Sequence, residues 1–155
     1  MCELFLDESI ILLDIEGETK EEVLKIMADQ LVRKGLVKKS FVHAVIQREN
    51  QFATGLPTAG VSVAIPHTDK EHVKGKAMSI AVLKKPVDFG VMGEDHHTVP
   101  VKIVFMLVMD EADSQLILLQ KLTKIFGKKE ILEEIVRAED KNTIKKVMKK
   151  ELDLQ

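Results

Sequence analysis

The chain has 155 residues and a net charge of -2, with acids and bases interleaved, which fits one compact domain and excludes the basic stripe that a nucleic-acid surface needs. Its single cysteine, Cys2, excludes an internal disulfide and any cysteine-based zinc cluster and points to a reducing, intracellular setting. No stretch approaches the roughly 20 apolar residues of a membrane span, and the start lacks the basic and apolar segments of a signal peptide, so the expectation is one cytoplasmic domain over residues 1–155.

In chain order, Ile10 to Ile15 is a short apolar run that reads as a first strand. Thr19 and Glu22 have the spacing of a capping box, and Leu24, Met27, Ala28, Leu31 and Val32 follow at helical spacing, with Gly35 placed to close the helix. A second helix is predicted from Ser40 to about Asn50, with Phe41, Val42, Val45 and Ile46 as its apolar residues. Residues 51–60 form a loop rich in Thr, Gly and Pro. From Val61 to Ile65 large and small side chains alternate, which predicts a strand whose small-residue face lies close under a helix. Pro66, with no N–H to give to a ladder, ends it.

Ala77 to Leu83 reads as a strand, residues 84–100 as a loop, and Val101 to Met109 as a central strand covered on both faces because it is almost continuously apolar. The remainder reads as helices. Leu116, Leu119, Leu122 and Ile125 share one face, Ile131, Leu132, Ile135 and Val136 a second, and Ile144, Val147 and Met148 a third. Helices first, strands in the middle and helices last give an α/β sandwich around a mixed sheet.

Five histidines carry the possible chemistry: His43, His67, His72, His96 and His97. His67 follows a predicted strand and a proline that fixes the local backbone, and ligand sites in open α/β sheets gather at the carboxyl ends of strands. The loop from Thr54 to Gly60 offers hydroxyls and free backbone N–H groups, which suit a phosphate. A neutral imidazole carries an exposed lone pair at pH 7 and is a competent nucleophile. On spacing alone a second reading stands beside this one: residues 67–72 as a polar surface loop. A zinc site from His67, Asp69 and His72, or from His96 and His97, is a third, but zinc asks for fixed ligands and this stretch is rich in loop signals. Arg48 borders the apolar side of its helix, and a partly buried arginine meets an anion, either a structural carboxylate or a phosphoryl group.

Arg48 and Glu49, then Thr54 and Gly55, then Val63, Ala64, Ile65, Pro66 and His67 together resemble the active-site signature of the mannitol/fructose class of phosphotransferase-system IIA domains. The similarity continues through Pro86 to Gly90 and Pro100 to Phe105. Within the class, Gly55 to Thr58 followed by Ala64 to Asp69 is most similar to the galactitol-type proteins. The resemblance implies a three-layer α/β/α sandwich around a central mixed sheet, and a phosphocarrier for galactitol or a related polyol. His67 would take phosphate from the phosphohistidine of HPr and pass it to a cysteine of a IIB partner, itself linked to a membrane IIC permease. No cofactor is implied. Arg48 matches a family arginine near the histidine, and Thr54 a family Ser/Thr in the preceding loop. Where relatives often carry a second histidine, this chain has Gln115, which can donate a hydrogen bond to a phosphoryl oxygen but cannot become a cation. The same resemblance leaves open a phosphorylation-dependent regulatory module with no transport role.

Overall fold

The computed structural model describes residues 4–154; Cys2 lies outside them. Strand β1 (Ile11–Ile15) follows a short 3-10 turn at Glu8–Ile10. Helix α1 (Lys20–Arg33) starts at the expected capping box: Glu22 N–H donates to Thr19 Oγ1 at 3.2 Å, and the Glu22 carboxylate accepts from Thr19 N–H at 3.4 Å. It ends in a Schellman closure, with Leu36 N–H on Leu31 O and Gly35 N–H on Val32 O. Gly35 sits at φ 72° there, the left-handed conformation a glycine adopts without a Cβ penalty. Helix α2 (Ser40–Gln51) buries Phe41, Val45 and Glu49 on one stripe.

The chain then forms β2 (Gly55–Leu56), β3 (Ser62–Ala64), β4 (Ala77–Gly90) and β5 (Thr98–Val108), and closes with α3 (Ala112–Phe126), α4 (Lys129–Arg137) and α5 (Lys141–Glu151). The sheet order is β1-β4-β5-β3-β2. β1 runs parallel to β4 and β3 parallel to β5, whereas β4–β5 and β2–β3 are antiparallel, so the sheet is mixed. Period-2 alternation on the two central strands divides the core. Met78, Ile80 and Val82 of β4 with Ile103, Phe105 and Leu107 of β5 pack against α3, α4 and α5. Ala77, Ala81, Val104, Met106 and Val108 face α1 and α2. The result is the three-layer α/β/α sandwich. β3 behaves as its alternation implies: Val63 joins the larger-residue side and Ala64 the side under α1 and α2.

Two expectations are corrected. Residues 84–100 are mostly strand, because β4 runs on to Gly90 and β5 starts at Thr98. The register shifts between Val82 and Val87, so Lys84, Lys85 and Pro86 project into solvent at the irregularity, where the missing N–H of Pro86 costs no ladder bond. Beyond it, Val87 and Phe89 return to the core. The α3 face is also rotated. Leu118, Leu122, Ile125 and Phe126 are buried, while Leu116 is 57% exposed, since the first turn and a half of the helix has no core beneath it. A smaller difference is the two-residue β2 within the predicted loop 51–60.

Candidate functional site

β3 and β5 are parallel neighbours, so their carboxyl ends lie on one edge of the sheet, and the site builds there. β3 stops at Ala64, and the next two residues are held by hydrogen bonds on either side. Ile65 N–H donates to Thr54 Oγ1 at 3.2 Å and also reaches the Thr54 carbonyl at 3.4 Å, and Pro66 O accepts from Leu107 N–H at 2.9 Å. His67 follows, partly buried, with Nδ1 2.8 Å from the carbonyl oxygen of Ile65. A carbonyl only accepts, so Nδ1 carries the proton and Nε2 keeps its lone pair. Burial pulls the His67 pKa below the ordinary 6.5, and the Arg48 charge acts in the same direction; the Ile65 hydrogen bond and Asp69 oppose it without reversing it. The imidazole is neutral at pH 7.

Thr54 stands behind this segment. Its N–H donates to Glu49 Oε2 and its hydroxyl to Glu49 Oε1, both at 2.7 Å. The Thr54 hydroxyl oxygen also accepts from Ile65 N–H, so the hydroxyl both donates and accepts. Glu49 is 2% exposed and Thr54 5%. Burial raises the Glu49 pKa, against the two Thr54 hydrogen bonds, which lower it.

Arg48, one residue earlier, turns the other way. Its guanidinium lies 5.4 Å over the Phe52 ring and 3.4 Å from the Asp69 carboxylate. It is 36% exposed, and the Asp69 contact is long for an arginine–carboxylate pair. Arg48, Asp69, Thr68, Gln47 and His72 line a shallow hollow of about 170 Å³. The structure thus places Arg48 within electrostatic reach of His67, while its direct partners are Asp69 and Phe52.

Gln115 lies in the first turn of α3, half-buried, with its N–H on Glu111 O at 3.1 Å. The helix leaves the carboxyl end of β5, on the sheet edge that carries His67. Among the described residues no hydrogen bond joins Gln115 to His67, Arg48 or Thr54. The start of α3 is pinned to the start of β4 by Lys76, whose ammonium pairs with Glu111 at 2.8 Å and Asp110 at 3.1 Å; those two acids hold its pKa well above the usual lysine range.

The other histidines go elsewhere. His72 Nδ1 is 2.9 Å from Ser40 Oγ, and its carbonyl accepts from Lys38 N–H, so it clips the segment after His67 to the start of α2. His96 and His97 sit in the β4–β5 turn and His43 is exposed. Among the described residues no group of three or more His, Cys, Asp or Glu side chains is arranged to hold a metal ion.

Glu49 is the site-edge residue that pattern reading of single side chains passes over. The available signal is its spacing: it falls four residues after Val45 and eight after Phe41, a carboxylate on an apolar stripe. The Ile65 carbonyl leaves no side-chain signal, since any residue there supplies one.

Comparison with known proteins identifies the family. Residues 4–151 match the family described as phosphoenolpyruvate-dependent sugar phosphotransferase system, EIIA 2. The galactitol-specific EIIA component of Escherichia coli K12 is 31% identical over 128 residues, covering 83% of this chain and 79% of that one. The transcriptional regulator ManR of Bacillus subtilis is 31% identical over 104 residues, 67% of this chain but 14% of the regulator. A solved complex of enzyme IIA and phosphorylated enzyme IIB for mannitol from Escherichia coli has the same fold, with a TM-score of 0.76, 21% identity and coverage of 94% of this chain and 97% of that one. The chain therefore belongs to the EIIA 2 family of the sugar phosphotransferase system, and is a phosphotransfer component of it.

Proposed function

We propose that the chain is a cytoplasmic phosphocarrier whose His67 Nε2 accepts a phosphoryl group from the phosphohistidine of HPr and passes it to a cysteine of a IIB protein, in a route that ends at a membrane IIC permease. The observation that carries the reading is the Nδ1 contact of His67 with the Ile65 carbonyl. It leaves Nε2 as the nucleophilic atom, on an imidazole kept neutral by burial. The Nε2 lone pair attacks phosphorus as the donor P–N bond breaks, and the donor nitrogen keeps that electron pair. Onward transfer repeats the step with a thiolate as nucleophile. The transition state is loose, so the protein mainly positions groups and offsets charge on the equatorial oxygens. Arg48 supplies the cation, exchanging the long Asp69 contact for the phosphoryl oxygens. Gln115 supplies a neutral donor from the start of α3. Thr54 supports from behind, its hydroxyl already engaged by Glu49 and Ile65. The likeness to the galactitol-specific component supports galactitol or a related polyol as the sugar.

Intact-mass analysis after incubation with phosphoenolpyruvate, enzyme I and HPr tests this directly. One acid-labile phosphate is expected on wild type and on His72→Ala, and none on His67→Ala. A fully labelled His67→Ala protein refutes the site.

A second reading has support from the ManR likeness, in which a similar segment forms a small part of a transcriptional regulator. In that reading the phosphoryl group on His67 is a signal and is not handed on. Discharge of the phosphorylated protein by a IIB protein decides for transport; retention of the phosphate with every IIB offered decides for regulation.

A further inference from the structure

A carboxylate is an expensive group to bury, and it persists where each of its oxygens is satisfied. Glu49 is 2% exposed and, among the described residues, takes part in no ion pair; its two oxygens serve the two donors of one residue, Thr54. That arrangement does more than hold a loop, because each link beyond it has a fixed direction. An ionised carboxylate only accepts, so the Thr54 hydroxyl must donate to it. The Thr54 lone pairs are then turned outward, and one receives Ile65 N–H. The peptide between Ile65 and Pro66 has no N–H, so the orientation of its carbonyl depends on the anchors that flank it. One is Ile65 N–H on Thr54, and the other is Pro66 O on Leu107. That carbonyl is the group that receives Nδ1–H of His67.

We propose that Glu49 is a positioning residue for His67, fixing through Thr54 and Ile65 the imidazole tautomer whose Nε2 is free. The inference rests on the carrier reading for its consequence, but its structural content concerns the unphosphorylated protein. Replacing Glu49 by glutamine keeps the shape and spoils the direction. An amide has one accepting atom and one donating one, so it opposes an N–H donor to one of the two Thr54 donors or forces the hydroxyl to turn round. With the hydroxyl reversed, Ile65 N–H loses its shorter acceptor and keeps only the Thr54 carbonyl at 3.4 Å, so the Ile65 carbonyl is held less firmly against Nδ1.

The test is a long-range nitrogen–proton correlation spectrum of the His67 ring in the full, unphosphorylated chain, paired with the initial rate of labelling by phospho-HPr. Wild type and Thr54→Ser, which keeps the hydroxyl, are expected to show protonated Nδ1 and bare Nε2. Glu49→Gln and Thr54→Val are expected to show mixed tautomers and labelling slowed by about tenfold or more, since the other tautomer presents an N–H where the lone pair should be. A purely structural role would lower the melting temperature of Glu49→Gln and Thr54→Val while leaving the tautomer and the rate per folded molecule unchanged, and that result overturns the proposal. Thr54→Val keeps the Glu49 contact with its own N–H, and so answers the question if Glu49→Gln does not fold. A wild-type protein that phospho-HPr never labels would count against the carrier reading, and the spectra would still decide the positioning role.

Discussion

At the scale of single residues, His67 differs from the other imidazoles in what its two nitrogens can do. Nδ1 is spoken for by a carbonyl 2.8 Å away, and burial disfavours the charged ring. The carbonyl puts the lone pair of the neutral ring on Nε2, and burial favours that neutral ring, outweighing the carbonyl's own preference for the charged one. The titration midpoint of His67, followed by nitrogen or carbon shifts of the ring, is therefore expected below 6.5; a midpoint at or above that value contradicts the burial argument. The position of this histidine is legible in the sequence, because an apolar strand followed by proline places the next residue at a strand's carboxyl end. Its hydrogen-bond partner is not. Ile65 contributes through its backbone, and Glu49 through a chain of contacts that crosses from α2 to β3. Arg48 is legible as a cation beside an apolar stripe, but its pairing with Asp69, across 21 positions, depends on how the loop after His67 folds back over α2.

At the scale of elements, the sheet edge next to the site is set by close backbone approach. A Cβ built on Gly55 would run into the carbonyl oxygen of Gly90 and crowd Phe89 Cβ at 3.2 Å. β2 can lie against the β4–β5 hairpin only because that Cβ is missing, and Thr54 immediately precedes it. Gly55→Ala is expected to lower stability by about 1–3 kcal/mol, the usual range for overpacking a filled site, seen as a lower urea midpoint with an unchanged slope. An unchanged midpoint would mean that β2 is free to move away from the hairpin. The sequence makes the helices more legible than the ends of strands. The capping box at Thr19 and the Gly35 closure fix α1 from local chemistry alone. The second half of β4 is hidden by Lys84, Lys85 and Pro86, polar residues and a proline that read as a loop but occupy a register irregularity. The α3 face is misread for a related reason: Leu116 keeps helical spacing with the core residues, yet the helix begins before the core does.

At the scale of the whole molecule, the buried ionisable groups tie folding stability to pH in opposite directions. The folded His67 pKa lies below its unfolded value, so the unfolded chain takes up that proton first on acidification. Its contribution is present above about pH 6.5 and is lost as the pH falls through the folded value. Glu49, with its folded pKa raised, does the reverse: its contribution is present below the unfolded value and is lost as the pH rises through the folded one. The difference in urea midpoint between wild type and His67→Ala is expected to move against wild type as the pH is lowered from about 7.5 to about 5. A constant difference would mean that His67 titrates alike in both states.

The strand order has a consequence for how the chain reaches this structure. β4 and β5 are joined by a short turn, residues 91–97, and their pairing closes a small loop at little entropic cost. β1 has no such neighbour. Ile11 meets Ile80, 69 positions further along, and among the described residues β1 is bonded to a strand on one side only. During synthesis the ribosome therefore releases this apolar strand long before its partner exists, and the interval is one in which Ile11 to Ile15 must be shielded from other chains rather than from solvent alone.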